Sequence, residues 1–188
     1  GAYVSEQWMN KGFKVTAQEV DRSGGHMPND AARLFDTSKP FNALGYGSPN
    51  LGGDFGNVLI IQDSEASSQW KANEAGGMIT FDFTPPVDEV FQLGLLNVVS
   101  DVVVNVTDAE GSTHIVLVTA AGAKSQKTVS VDVTNVVKVQ VVMSGPTAIT
   151  HIGICSDFEA TPPLPPSSAP SVAPAGDLCV TGVHETGS

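Results

Sequence analysis

From Gly12 to Cys155 the hydrophobic residues recur at every second position, and that period decides the fold class before anything else is read. GFKVTAQEV sets Phe13, Val15 and Ala17 against Lys14, Thr16 and Gln18, and GMITFDFT sets Ile79, Phe81 and Phe83 against Met78, Thr80 and Asp82. A strand turns successive side chains to opposite faces, so each segment predicts a half-buried strand. DVVVNVTD, the turn Asp108-Ala109-Glu110-Gly111 and STHIVLVT read as a hairpin with Val102, Val104 and Val106 inward. KTVSVDV places Val129, Val131 and Val133 on one face, and NVVKVQVVM, read as the next strand, places Val137, Val139, Val141 and Met143 on one face. NVLII and PTAITHIGIC complete a set of about eight or nine strands. No window of a dozen residues carries a helical period, and β-branched residues are frequent throughout. The expected fold is therefore all-β, an antiparallel β-sandwich of jelly-roll-like type, followed by a Pro-rich extended tail.

Three segments follow from composition along the 188 residues. Residues 1–158 form the sandwich domain. Residues 159–176 carry ATPPLPPSSAPSVAPAG, whose six prolines favour an extended polyproline II stalk and cannot build a core. Residues 177–188 are a terminal segment or the start of a following module. Apolar residues make up 41 % and charged residues 15 %, ample for a core under a lightly charged surface. A formal charge of −11 opposes binding to nucleic acid or to anionic membranes. No apolar run approaches the roughly 20 residues of a membrane-spanning helix. The abrupt start at Gly-Ala-Tyr-Val is expected of a mature or trimmed form.

The two cysteines, Cys155 and Cys179, are either a disulfide tying the tail to the domain or two free thiols. Asn105-Val106-Thr107 is a glycosylation sequon on an outward strand position, which fits a secreted or cell-surface protein. His26, His114, His151 and His184 show no zinc-ligand spacing. No nucleophile elbow, phosphate loop or dinucleotide fingerprint occurs. Asp82, Asp88, Glu89 and Asp132 lie on or beside strands, where solvated carboxylates are the ordinary case, so no enzyme is expected.

The long excursion between Phe35 and Val58 raises a separate question, because ordering a loop costs about 1–2 kcal/mol per residue in backbone entropy. Asp36, Asn42, Asn50, Asp54, Asn57 and Asp63 offer hard oxygens suited to calcium. The same residues serve equally as turn formers among Gly45, Gly47, Gly52, Gly53 and Gly56.

The succession Gly-x-Tyr-Val-Ser-x-Gln-Trp, Ala-Arg-Leu-Phe-Asp-Thr-Ser, Gly-Ser-Pro-Asn, Gly-Asn-Val-Leu-Ile-Ile-Gln-Asp, Gly-Gly-Met-Ile-Thr-Phe-Asp-Phe and Ser-Gly-Pro-Thr-Ala-Ile-Thr-His-Ile-Gly-Ile-Cys resembles an extracellular β-sandwich module. Such modules occur in secreted and cell-surface proteins of algae, diatoms and other stramenopiles, and are similar to domains of bacterial PEP-CTERM surface proteins. The resemblance implies a non-enzymatic unit joined to others by Pro-rich linkers. It also implies a loop calcium site, carried over here to Asp36, Asn50 and Asp63 with Asp54 as a replacement. This chain departs from the pattern in having no second acid between Asp36 and Pro49.

Three functions follow as expectations. The first is a structural or adhesive module of a surface, matrix or filament protein, supported by calcium and joined to copies of itself or to other matrix proteins through strand edges. The alternative is a carbohydrate-binding module that stacks sugar rings of a polysaccharide on loop aromatics, with Tyr46 and Trp70 as the leading candidates beside Trp8 and Phe55. A hydrolase on a jelly-roll frame is the third reading, disfavoured by the lack of a catalytic constellation in the sequence.

Overall fold

The computed structural model describes residues 2–4, 6–20, 26–29, 32–41, 47–63, 71–156 and 179–181. The stalk at 159–176 lies outside the described residues. Ten strands are named in chain order: β1 Phe13–Val20, β2 His26–Asn29, β3 Ala32–Asp36, β4 Asn57–Ile61, β5 Gly77–Leu96, β6 Val102–Asp108, β7 Thr113–Val118, β8 Gln126–Met143, β9 Ala148–Cys155 and β10 Cys179–Thr181. Every pairing between them is antiparallel. Among the described residues, short 3-10 turns at Met9–Lys11 and Pro49–Leu51 are the helical elements.

Two long strands knit the layers together. β5 and β8 pair along their length, with register shifts between Asp82 and Val87 and between Val90 and Gln92. Before the first shift, β5 has β1 on its other side; beyond it, β5 has β9. One layer is thus β2-β1-β5-β8-β6-β7 and the other is β3-β4-β9-β5-β8, with β10 on β9. Strands that bend and pass from one sheet to the next make the corners of a sandwich.

The bend corrects two details of the sequence reading. KTVSVDV and NVVKVQVVM are one strand, and the buried position after Val133 is Val136 rather than Val137. Asp132 and Asn135 take positive φ of 52° and 55°, and the inward positions step by three, from Val133 to Val136 and from Val136 to Val139, before strict alternation resumes at Val141 and Met143. β5 changes phase in the same region, from Ile79, Phe81 and Phe83 to Val87, Val90, Leu93 and Leu95. The described strands β1, β5 and β6 bury the alternate residues that the period predicts: Val15 and Ala17, then Ile79, Phe81 and Phe83, then Val102, Val104 and Val106.

A second, smaller core lies on the outer face of the β3-β4 layer. Leu59 and Ile61 face the main core, while Val58 and Ile60 pack with Phe35, Leu96, Ala148, Ala72 and Leu51. NVLII is a continuous apolar run because both of its faces are covered. The cover is the long loop: Leu51, on the 3-10 turn, is completely buried and Phe55 packs beside it. Burying one such leucine contributes about 1.5–3 kcal/mol, which offsets part of the loop's ordering cost.

Candidate functional site

The loop is fixed by one buried threonine. Thr37 Oγ1 donates to the Gly56 carbonyl at 2.9 Å and accepts the Phe55 amide at 3.0 Å. Its own amide donates to Gly56 and its carbonyl accepts from Gly53. Thr37 is fully buried, so these bonds satisfy groups that water cannot reach.

The expected calcium residues sit around this frame without forming one set. Asp36 Oδ1 accepts the Ser38 hydroxyl at 2.6 Å and the Ser38 amide at 3.0 Å, and Lys39 lies 3.6 Å from Oδ2. The Ser38 hydroxyl, aided by the Ser38 amide and the Lys39 charge, holds the Asp36 carboxyl below its ordinary range against the opposing effect of burial. Asn50 is exposed on its turn and Asp54 is exposed beside Phe55. Asp36 is opposite Asn57 at the start of β4, whereas Asp63 follows the end of β4. Six residues of extended chain separate those ends by roughly 20 Å. One calcium, with ligands at about 2.3–2.6 Å, cannot join Asp36 to Asp63. Among the described residues there is no cluster of three or more His, Cys, Asp or Glu arranged to hold a metal. Asn42 lies outside the described residues.

A polar and aromatic constellation forms instead at the far end of β4. Tyr3 bridges to Arg33 of β3, because residues 2–4 lie along its free edge: Val4 donates to Ala32 and Leu34 donates to Ala2. The Arg33 guanidinium stacks over the Tyr3 ring at 4.7 Å and donates through Nη1 to Gln62 Oε1. Tyr3 remains 53 % exposed.

Gln62 bridges to Ala72, and the Ala72 amide donates to Ser48 Oγ at 2.8 Å. That bond joins the bases of two loops, one closed by the Phe41–Gly47 bridge and one by the Gln62–Ala72 bridge. Residues 42–46 and 64–70, which carry Tyr46 and Trp70, lie outside the described residues. Their bases nevertheless meet next to the Tyr3–Arg33–Gln62 cluster. Phe41, at one base, is 52 % exposed.

The other sequence candidates are placed separately. Trp8 packs on Phe13 with ring centroids 5.4 Å apart, so that aromatic serves the rim of the core. Asn105 is half-buried on the outer face of β6, between Ile115 of β7 and Gln140 of β8. Cys155 is disulfide-bonded, no cysteine is free among the described residues, and β10 pairs Cys179 opposite Cys155. Asp82 is held 3.6 Å from Lys138, and Asp132 is exposed at the bend of β8. His114 Nε2 lies 3.0 Å from Asp108 Oδ2 at the β6–β7 turn. His151 lies beside Gly94 and Thr150, and its burial pushes the imidazole below its usual pKa.

No protein-family model matches this sequence, and no curated protein matches it. Among solved structures, a similar chain is the family 32 carbohydrate-binding module of C. perfringens NanJ in complex with galactose, at 10 % identity and a TM-score of 0.37, covering 74 % of this chain and 98 % of that one. At that score the likeness carries no argument about fold or ligand.

Thr37, Leu51, Tyr3 and Arg33 were not singled out by the sequence reading. Leu51 carried a signal, as an isolated apolar residue in a run of Gly, Pro and Asn. Arg33 carried one too, being among only nine basic residues and set among Ala32, Leu34 and Phe35. Tyr3 had none, since its neighbourhood depends on how residues 2–4 dock against β3.

Proposed function

We propose that this chain is a non-catalytic carbohydrate-recognition module of a secreted or cell-surface protein, holding a glycan at the end of β4 around Tyr3 and Arg33. What supports the reading is the junction itself: an exposed tyrosine, and a guanidinium fixed over it by the buried Gln62 amide, stand beside the joined bases of the segments that carry Tyr46 and Trp70. Sugars present an apolar C–H face that stacks on aromatic rings and a hydroxyl edge that suits planar polar groups such as guanidinium and amide. The disulfide at Cys155 and the sequon at Asn105 fit an oxidising, secretory setting.

The test is affinity electrophoresis and glycan-array binding of the full chain with Tyr3→Ala, Arg33→Ala, Tyr46→Ala and Trp70→Ala. Binding of wild type to at least one polysaccharide, lost tenfold or more in Arg33→Ala and in an aromatic variant that keeps its thermal midpoint, is the expected result. Wild type that binds no glycan, or binding indifferent to all four changes, would remove this reading. The second reading, a structural or adhesive unit, is favoured by a different observation: large apolar side chains stand exposed on β7.

A further inference from the structure

β7 is built like a strand that expects a neighbour. Its sequence, THIVLV, contains no Lys, no Pro and no acid. Natural edge strands are commonly blunted by charge, proline or a bulge, because an open row of N–H and C=O groups invites another strand. Among the described residues β7 pairs with β6 alone, in unbroken register from Val102–Val118 to Thr107–Thr113. Ile115 is 68 % exposed and Leu117 is 61 % exposed, on the face turned away from the core.

The exposed leucine ends an apolar row across the sheet. Leu117 is opposite Val103, Val103 is opposite Val142, and Val142 is opposite Met78, and the last three are half-buried on the same outer face. That row stops at the β7 edge.

Charge at the two ends of β7 specifies what continues it. The turn before β7 carries Asp108 and exposed Glu110; the segment after it carries exposed Lys124, with Lys127 Nζ reaching Thr119 Oγ1 at 3.5 Å. Exposed Asp101, which accepts the Ala120 amide at 2.8 Å, lies at the lysine end too, so that end is basic by a single net charge while the other is acidic. A parallel neighbour of the same kind would set acid against acid, whereas an antiparallel one sets the acidic turn of each copy beside the lysines of the other.

We propose that β7 pairs antiparallel with β7 of a second copy of this chain, extending the β6–β7 layer across a twofold axis. With the axis through Val116, Ile115 of each copy stands opposite Leu117 of the other, and the apolar row gains that isoleucine before it meets Asn105 of the second copy. Such an isologous contact is closed, so it yields dimers. A pair of six-residue strands buries less than the roughly 1,200–2,000 Å² of a stable interface, so association depends on concentration. This surface is separate from the Tyr3–Arg33 end and does not rest on glycan binding.

The test is the mass of the full chain by sedimentation equilibrium over a wide concentration range, for wild type, Leu117→Lys, Ile115→Lys, Glu110→Lys, Lys124→Glu and the double charge exchange Glu110→Lys/Lys124→Glu. The expected result is a wild-type mass that doubles with concentration, a monomer at all concentrations for Leu117→Lys and Ile115→Lys with unchanged circular dichroism, weaker association for each single charge change and recovery in the double. Because both apolar positions are exposed, the variants keep the fold; the charge exchange gives an independent reading if either does not. A wild type that stays monomeric throughout, whether its edge takes another protein's strand or none, overturns the proposal. So does a folded Leu117→Lys that still dimerises, or a double charge exchange that fails to recover what the single changes lose.

Discussion

NVLII in β4 and THIVLV in β7 look alike as sequences, both near-continuous apolar runs, and the fold treats them in opposite ways. β4 has a sheet on one side and the Thr37–Leu51–Phe55 loop on the other, so Val58 and Ile60 are as buried as Leu59 and Ile61. β7 faces the core through Val116 and Val118 and leaves Ile115 and Leu117 in water. An apolar face needs a cover. For β4 the chain supplies it within twenty residues; for β7 the described chain leaves the place open.

The contrast can be broken by the same substitution at two leucines. Leu51→Ala removes a completely buried side chain from the small core and should cost about 2–5 kcal/mol, measured by urea unfolding. Leu117→Ala, identical in chemistry, should lie within about 0.5 kcal/mol of wild type under dilute conditions. Equal losses at the two sites would erase the distinction between covered and uncovered strands.

A second variant separates the loop's polar frame from its apolar one. Thr37→Val keeps the shape but strips the hydroxyl, leaving the Phe55 amide without its acceptor and the Gly56 carbonyl with fewer donors. The expected loss is about 1–3 kcal/mol, smaller than for Leu51→Ala. Amide exchange should accelerate first between residues 53 and 56.

pH sharpens the comparison in a third way, because His151 lies on the outer face of the β9–β5 pair. Its pKa is depressed by burial, so the native state resists a proton that the unfolded chain accepts. The stability it contributes is complete above the unfolded histidine value of about 6.5 and is lost as pH falls below it towards the lowered native value. The thermal midpoint should therefore fall on acidification through that window, and His151→Gln should flatten this part of the profile.

The smallest expected effect is that of calcium. With the loop held by Leu51 and Thr37, and Asp36 engaged by Ser38 and Lys39, adding calcium or a chelator should leave the thermal midpoint where it is. A calcium-dependent rise would restore a metal to the loop.

These two strands also show what was legible in the residues. The period of two and its inward residues were readable, because a half-buried strand must alternate; Val102, Val104 and Val106 need no tertiary knowledge. The corner was harder. Asn135 looks like any turn former, yet β8 continues through it with Val136 out of step with the alternation on either side, and only the pairing with β5 distinguishes a bend from a break. The acids of the long loop drew attention through their chemistry, although the loop is held by a threonine and a leucine whose partners are distant in sequence. Arg33 and Tyr3 meet only because residues 2–4 dock on β3, a long-range event that spacing does not encode.

Amide hydrogen exchange, followed residue by residue at low and high protein concentration, tests the contrast most directly. Amides of β4 should be protected equally at both concentrations, since their cover belongs to the same chain. Those β7 amides that point away from β6 should exchange freely when dilute and slow down when concentrated. Rapid exchange in β4, or β7 protection that does not change with concentration, would contradict the account.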